Sequence, residues 1–356
     1  METFFGTYSV IKRSWKYTGL CVKSLTYNVF DSTIESIFAP LFCFVDFATR
    51  WFGIVFVFIV SALITSVVTI FFLCIVPFIL VTYHPLYLSL HLFYGHYLLM
   101  MIVFHYYKAT STKPGNPPKI LSGVSVISIC KKCILPRPLR THHCNVCKIC
   151  CLKMDHHCPW INNCVGYFNH RYFISFCMFM CFGTIYVSFT SWPLFYDCYH
   201  VKEKFLRFQA TLYFLFDWKS DTQSGFLKGV ITVDTNGKSF CSDSNGKYST
   251  SIVYVWILCS AVSLALGCLT LWHVFLISRG ETSIEKLLNQ KERNRLRKQK
   301  KNFRNPFNKG FVDNWKEMLG FHDYRSFVFH VLLPSSHVPN GDGINWPCKH
   351  RPMFVA

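Results

Sequence analysis

Charged residues are scarce in this sequence. Only 15% of the 356 residues are Asp, Glu, Lys or Arg, whereas 51% are hydrophobic and 18% are aromatic. A soluble protein of this size carries about a quarter of its residues as charged side chains. The scarcity excludes an ordinary water-covered globular protein and indicates a chain that buries much of its surface in lipid.

Four long segments contain no Asp, Glu, Lys or Arg at all. They are residues 52–81, 86–107, 172–195 and 252–277. A helix needs about 20 apolar residues to cross a hydrocarbon core of ~30 Å, so each segment is long enough to span a membrane. The absence of charge inside the spans also gives no support to a transporter or channel, whose ion path would be marked by charged side chains.

Acidic residues are few as well, 18 against 37 Lys and Arg, which gives a formal net charge of +19. The basic residues are concentrated at 108–171, which holds ten, and at 278–356, which holds fifteen. By the positive-inside rule we expect residues 1–51, 108–171 and 278–356 to be cytosolic and 197–251 to be lumenal. Because the charge follows this topology, we expect membrane lipid and no nucleic acid as partner.

A secretory signal peptide is not recognisable at the start of the chain, so we expect a cytosolic N-terminus. Residues 28–50 are predicted to form an amphipathic segment on the membrane surface. The loop at 197–251 is predicted to be irregular towards its end; Cys198 and Cys241 within it either pair or stay unpaired thiols. Residues 285–301 predict a basic helix near the lipid, with a capping box that starts at Thr282.

Cysteine and histidine are concentrated between the second and third spans. The pattern is Cys130-x2-Cys133-x9-His143-Cys144-x2-Cys147-x2-Cys150-Cys151-x3-Asp155-His156-His157-Cys158-Pro159-Trp160-x3-Cys164. Clustered Cys with interleaved His is typical of zinc in a reducing compartment, where four sulfur or nitrogen ligands form a tetrahedron. The eight best-placed residues predict two closed sites, one with Cys130, Cys133, His143 and Cys150, the other with Cys144, Cys147, His157 and Cys164. Two saturated zinc ions of this kind are structural rather than catalytic.

Cys158 is left without a metal in this assignment. His156 lies two residues before it and Asp155 one residue further, so a nucleophile, a base and an orienting carboxylate fall within four residues. An imidazole that accepts the thiol proton raises the fraction of thiolate, which is the reactive form. The motif predicts that an acyl group is taken from a thioester by Cys158 and moved to a second thiol.

Two interleaved zinc sites also occur in RING domains. A non-enzymatic zinc-binding membrane adaptor or a RING-like ligase scaffold is therefore the competing hypothesis. The unassigned thiol in Asp155-His156-His157-Cys158 argues against it, because a RING domain has no need of such a residue and its ligand spacing differs.

The block from Cys130 to Phe173 resembles the cysteine-rich domain of the DHHC palmitoyltransferase family. Thr282-Ser-Ile-Glu285 is similar to the family's Thr-Thr-x-Glu motif, and Asn305 to Trp315 to its C-terminal segment. The stretches 128–133, 276–285 and 332–337 resemble a member that resides in the endoplasmic reticulum.

The resemblance implies an all-α integral membrane fold: a four-transmembrane-helix bundle with a cytosolic zinc-binding cysteine-rich domain of short hairpins between helices 2 and 3. It further implies a protein S-acyltransferase in an endoplasmic reticulum or Golgi membrane. Palmitoyl-CoA would be the co-substrate, and proteins with membrane-proximal cysteines would be the acceptors. Trp160 would lie near the mouth of a fatty-chain cavity, Ser283 near Asp155, and Asn314 would brace the C-terminal segment.

The chain departs from the family pattern at two points. Lys113-Pro-Gly115 stands where the family has Asp-Pro-Gly, and Ser283 replaces a threonine but keeps its hydroxyl. Cys151, beside a predicted ligand, is interpreted as a packing residue rather than a substitute for Cys150.

Two arginines and one histidine lie shortly before the zinc ligand His143. Arg137, Arg140 and His142 are candidates for contacts with the phosphates of acyl-CoA, because arginine forks match phosphate oxygens. Simple attraction to the membrane surface explains them equally well.

Overall fold

The computed structural model describes residues 49–118, 126–216 and 247–346. Four helices in these ranges are long and apolar enough to cross a membrane: Thr49–Leu80, Pro85–Ser111, His170–Tyr199 and Thr250–Ser278. The predicted four membrane helices are therefore confirmed. Most of the predicted amphipathic segment, residues 28–48, lies outside the described residues.

The first membrane helix, α1, is described from residue 49 onward and passes through a π-helical segment, Phe71–Ile75, into Val76–Thr82. The second, α2, covers Pro85–Ser111. Pro85 suits the first position of the helix, because an N–H there would have no partner within the helix. The side chain of His84 caps the helix by accepting a hydrogen bond from the Leu86 N–H at 3.3 Å. The turn between the first two helices is thus as short as the sequence predicts.

The third helix, α3, is longer than the predicted span. It runs from His170 to Phe216, past the predicted end near residue 195. No Gly or Pro occurs between Pro193 and Phe216, so nothing in the sequence ends the helix there. The first part of the loop predicted at 197–251 is therefore helical.

The fourth helix, α4, covers Lys247–Ser278 and packs along α3. Ser260 Oγ donates to Ser188 Oγ at 3.3 Å, and the rings of Phe195 and Trp256 stack with their centroids 4.0 Å apart. Cys198 is disulfide-bonded. Cys241, the cysteine that the sequence suggests as its partner, lies outside the described residues.

The segment between α2 and α3 forms three separate antiparallel hairpins. They pair β1 (Val126–Cys130) with β2 (Leu135–Pro138), β3 (His142–Cys144) with β4 (Ile149–Cys151), and β5 (His156–Cys158) with β6 (Asn163–Val165). Ile134 and Lys148, each directly after a Cys-x-x-Cys pair, adopt positive φ values of 55° and 59°. This left-handed step reverses the chain so that both cysteines of the pair face the same point. The predicted hairpin domain is confirmed.

The hairpin domain packs against the ends of α2 and α3. Asn163 donates from Nδ2 to the carbonyls of Ala109, Thr110 and Thr112, which satisfies the last turn of α2. Tyr106 donates its hydroxyl hydrogen to the carbonyl of Trp160 at 2.9 Å. These bonds hold the third hairpin directly at the end of the helix bundle.

Between α4 and residue 346, where the described residues end, there are three further helices: α5 (Ser283–Lys298), α6 (Phe311–Leu319) and α7 (Tyr324–Phe327), the last continued by a π-helical segment, Val328–Leu332. The predicted capping box is confirmed, because the Thr282 side chain accepts from the Glu285 N–H and the Glu285 side chain accepts from the Thr282 N–H. The two bonds satisfy backbone N–H groups at the start of α5 that would otherwise lack a partner.

Candidate active site

The first predicted set of zinc ligands is assembled on the first two hairpins. Nδ1 of His143 lies 3.2 Å from Sγ of Cys133, 3.7 Å from Sγ of Cys130 and 4.0 Å from Sγ of Cys150. The sulfurs of Cys133 and Cys150 are 3.7 Å apart. Tetrahedral zinc with Zn–S bonds of about 2.3 Å separates its sulfur ligands by about 3.8 Å. The four residues fit a structural zinc ion.

The second set joins the second and third hairpins. Nδ1 of His157 lies 3.7, 3.3 and 3.6 Å from the sulfurs of Cys144, Cys147 and Cys164. Cys147 and Cys164 are 3.5 Å apart. These distances also fit zinc and leave no open coordination position. Cys151 belongs to neither set; it is completely buried, and a side chain at Gly166 would collide with its sulfur.

Cys158 ends the strand that begins with His156 and belongs to neither set of zinc ligands. It is buried in a cluster with Tyr106, Phe173 and Cys177. The thiol therefore faces the helix bundle rather than the metal sites.

Asp155 is 1% exposed and forms a hydrogen bond with the ring of His156. Nδ1 of His156 lies 2.6 Å from Oδ2 of Asp155, so the ring donates there and its Nε2 is left for another partner. Ser283 adds two bonds to the same carboxylate, its N–H to Oδ1 at 2.7 Å and its hydroxyl to Oδ2 at 2.9 Å. The start of α5 thereby fixes the Asp155 side chain.

Burial lowers the pKa of His156, but the hydrogen bonds with Asp155 and Cys158 outweigh burial and raise that pKa to about 9. Burial also raises the pKa of Asp155. The hydrogen bond from His156 and the charges of the surrounding histidines more than offset it, so that pKa lies below its usual range. The pair is therefore arranged as an ionised carboxylate beside a ring that readily holds a proton.

Two further histidines surround Asp155. His170 at the start of α3 and His273 on α4 are each 2% exposed, and one ring nitrogen of each lies within 4.8 Å of an Asp155 oxygen. The rings of His156 and His273 have their centroids 5.7 Å apart. Neither histidine could be predicted from the sequence as part of the site, because no local pattern distinguishes a histidine that contacts Asp155 from another histidine in or beside a membrane span.

Arg140 is held by an ion pair with the start of α5. Its guanidinium donates to both oxygens of Glu285, at 2.6 and 2.7 Å, and lies 4.5 Å from the ring centroids of Phe307 and Trp346. It also donates to the carbonyl of Gly280 through Nη2. Arg140 therefore joins the hairpin domain to α5, and its contact with acyl-CoA stays a prediction.

The other candidates for acyl-CoA contacts remain accessible. Arg137 and His142 are half-buried, and burial is the main cause that lowers the pKa of His142. Trp160 is 52% exposed and packs its ring edge-on against Phe56, with centroids 5.2 Å apart. Nothing in the structure assigns a ligand to Arg137 or His142.

A cavity of about 480 Å³ lies between the four membrane helices. Its walls are almost entirely apolar, and Cys158, Trp160 and Ile161 lie at its mouth. On α3 the lining extends from Phe173 to Val187, fourteen residues along the helix, which corresponds to a depth of about 21 Å. The cavity suits a long aliphatic chain with one end at Cys158.

A hydrogen-bonded pair lines the cavity at the end away from Cys158. Tyr186 of α3 bonds through its hydroxyl to Nδ1 of His91 at 2.8 Å and donates to the His91 carbonyl at 3.1 Å. Phe71 packs against the Tyr186 ring, with centroids 5.9 Å apart. These three residues are the ones that the end of a long acyl chain would meet.

Asn314 on α6 ties the C-terminal segment to the end of α4. Its Nδ2 donates to the carbonyl of Ser278 at 3.0 Å and to Oδ1 of Asn308 at 2.8 Å, and its Oδ1 accepts from the Lys309 N–H. Trp315 donates to the Ser278 hydroxyl at 3.1 Å. These bonds connect the segment after α5 to the membrane bundle.

Comparison with known proteins gives consistent matches. The family model described as DHHC palmitoyltransferase matches residues 125–290. Palmitoyltransferase ZDHHC16A of Danio rerio is 46% identical over an alignment of 362 residues, gaps included, which covers 97% of this chain and 92% of that protein. Palmitoyltransferase ZDHHC16 of Homo sapiens is 48% identical over 335 residues, with 93% and 86% covered.

A more distant relative shares only part of the chain. Probable protein S-acyltransferase 15 of Arabidopsis thaliana is 32% identical over 199 residues, 56% of this chain and 63% of that protein. ZDHHC16 is also called abl-philin 2, in agreement with the three stretches that resemble a particular member of the family. The matches leave the RING-like scaffold without support.

Proposed function

The chain belongs to the DHHC palmitoyltransferase family and is a protein S-palmitoyltransferase, and we propose that its activity runs through the thiol of Cys158 in two steps. The observation that carries this proposal is the position of Cys158. It lies outside both sets of zinc ligands, follows the His156–Asp155 pair, and lines the mouth of the apolar cavity.

In the first step the acyl chain of a long-chain acyl-CoA occupies the cavity, which brings its thioester carbonyl to Cys158. His156 accepts the thiol proton, and the thiolate attacks the carbonyl carbon. The bond from that carbon to the CoA sulfur breaks, and His156 gives the proton it has accepted to this sulfur, so CoA leaves as a thiol and the ring is free to act again. Asp155 stabilises the protonated ring through the bond to Nδ1, as expected of a carboxylate that orients a general base.

In the second step the acyl group passes to a cysteine of the acceptor protein. His156 accepts the proton of the incoming thiol, whose sulfur attacks the carbonyl carbon of the Cys158 thioester. The bond from the carbonyl carbon to the Cys158 sulfur breaks, and His156 gives its proton to this sulfur, which restores the thiol. One thioester is exchanged for another in each step, so neither step needs an energy source beyond the acyl-CoA.

Two structural zinc ions would hold the hairpins in place. Each would be bound by three cysteines and one histidine: Cys130, Cys133, His143 and Cys150 in one site, and Cys144, Cys147, His157 and Cys164 in the other. Because His157 lies between His156 and Cys158 on one strand, the ion in the second site would fix the backbone that carries the base and the nucleophile. Ser283 acts as a positioning residue for Asp155, and Asn314 braces the segment that follows.

Arg137 and His142 are proposed to contact the phosphates of CoA, with Trp160 at the mouth of the cavity beside the thioester. The acceptors are proteins whose cysteines lie close to the membrane, because Cys158 is reached at the end of the helix bundle. We place the chain in an endoplasmic reticulum or Golgi membrane with cytosolic N- and C-termini, in line with the distribution of Lys and Arg.

The test is acylation of the purified protein with alkyne-labelled palmitoyl-CoA. Cys158→Ser is expected to abolish the hydroxylamine-sensitive label while two zinc ions per chain are retained. Cys177→Ser is the matched control, because this thiol lines the same cavity but lies outside the motif; it should label like the wild type. A thioester label that persists on Cys158→Ser protein would show that another residue is the nucleophile.

A further inference from the structure

A second, polar cavity lies where α4 leaves the membrane and α5 begins. It measures about 520 Å³ and does not communicate with the acyl cavity through any shared lining residue. Its walls hold three arginines, one carboxylate, two amides and one aromatic ring: Arg279, Arg293, Arg304, Glu281, Asn305, Asn308 and Phe303. None of these residues takes part in the acyl transfer described above.

The cavity lies at the membrane boundary. Phe275, in the last turns of the fourth membrane span, is 41% exposed on the outside of the bundle. The Arg279 guanidinium lies 5.2 Å from the centroid of this ring, and the Lys286 ammonium lies 4.9 Å from it. Cations stacked on a lipid-facing aromatic ring occupy the level of the phospholipid headgroups.

The balance of charge in the cavity is positive. Glu281 is buried; its Oε1 accepts from Nδ2 of Asn289 at 3.0 Å and its Oε2 lies 3.7 Å from Nε of Arg279. Arg293 packs over the ring of Phe303 at 5.8 Å. Within the described ranges no carboxylate lies within ion-pair distance of Arg293 or Arg304. Two guanidinium groups therefore remain to bind an anion.

We infer that this cavity binds the headgroup of an anionic phospholipid, with phosphate monoesters of a phosphorylated inositol lipid as the chemistry that fits best. Guanidinium forks match phosphate oxygens in pairs, and the amide nitrogen of Asn308 can donate to an inositol hydroxyl. The amide nitrogen of Asn305 already donates to the carbonyls of Arg279 and Gly280, so this residue shapes the wall of the cavity. Basic clusters directly after a membrane helix are the usual receptors for such lipids. The inference is independent of the acyl transfer proposed for Cys158.

The test uses the full chain purified in detergent and native mass spectrometry with dioctanoyl lipids. We expect one molecule of phosphatidylinositol 4-phosphate per chain, with weaker binding of phosphatidylserine and none of phosphatidylcholine. Arg293→Ala combined with Arg304→Ala should weaken this binding by about 25-fold, from about fivefold per arginine. Arg295→Ala is the control, because Arg295 pairs with Glu292 at 2.6 Å on the same helix and does not line the cavity.

Two competitors distinguish the sources of phosphate. Free CoA and inositol 1,4-bisphosphate are titrated against the bound lipid, and both should compete poorly, because neither carries the glycerolipid that the boundary position favours. Displacement by CoA at equal concentration would assign the cavity to the co-substrate and overturn the inference. Equal binding by the double variant and by Arg295→Ala protein would also overturn it. The zinc content and Cys158 acylation of the variants serve as the check on folding.

Discussion

Ser283 provides the sharpest test of how Asp155 is held. Its hydroxyl donates to Oδ2 of Asp155 at 2.9 Å, and its backbone N–H donates to Oδ1 at 2.7 Å. Ser283→Ala removes the first bond and keeps the second. Ser283→Thr keeps both, and the similar Thr-Thr-x-Glu motif shows that a threonine can occupy this position.

The size of the effect follows from the surroundings. Asp155 is 1% exposed, so water cannot replace the lost hydroxyl. A hydrogen bond to a charged group contributes about 1.5–3 kcal/mol. If the whole of this energy is lost from the transition state, in which His156 is protonated, acylation should be about 10-fold to 100-fold slower, at about 1.4 kcal/mol per tenfold change in rate.

The assay is single-turnover acylation of Cys158 by palmitoyl-CoA, with the rate and the apparent binding constant measured separately. Ser283→Ala should lower the rate constant with little change in the binding of palmitoyl-CoA, and Ser283→Thr should restore the rate. Wild-type rates for Ser283→Ala protein would refute the role of the hydroxyl. An equal loss in both variants would show that α5 is sensitive to any change at this position.

Three other changes test separate parts of the structure. Glu285→Gln leaves Arg140 buried without its counter-ion, so the free energy of unfolding measured in denaturant should fall by about 3–5 kcal/mol. Arg295→Ala, at an exposed residue, should change it little, and equal stability of the two variants would contradict the pairing. Tyr186→Ala opens the far end of the acyl cavity and removes the bond to His91, so acyl-CoA profiling should shift to longer chains; an unchanged profile would contradict the assigned end. Removal of zinc by a chelator should release two ions per chain and abolish acylation, with recovery on zinc addition; full acylation by metal-free protein would show that the hairpins fold without it.

Much of the fold could be predicted because its signals are local. Four runs without charge mark the membrane helices, and the Cys-x-x-Cys spacing marks the hairpin turns. The length of α3 could not be predicted in the same way. Helix-compatible residues after residue 195 are equally compatible with a polar loop, and only their packing decides which forms.

The part of the site that could be predicted is the part that a local motif marks. Asp155, His156 and Cys158 are neighbours in the sequence, so their cooperation is visible without a structure. Arg140 and Glu285 are 145 residues apart, and nothing in the sequence near either residue indicates that they form an ion pair. His273, on α4, reaches Asp155 only because the hairpin domain packs beneath the bundle.

The central claim is that the sulfur of Cys158, which belongs to neither set of zinc ligands, carries the acyl group. The most direct measurement is peptide mapping by mass spectrometry of wild-type protein after a brief reaction with palmitoyl-CoA, with zinc counted in the same sample. We predict the acyl mass on the peptide that contains Cys158, in protein with two zinc ions per chain. An acyl group found on Cys151 or Cys177 instead would contradict the account.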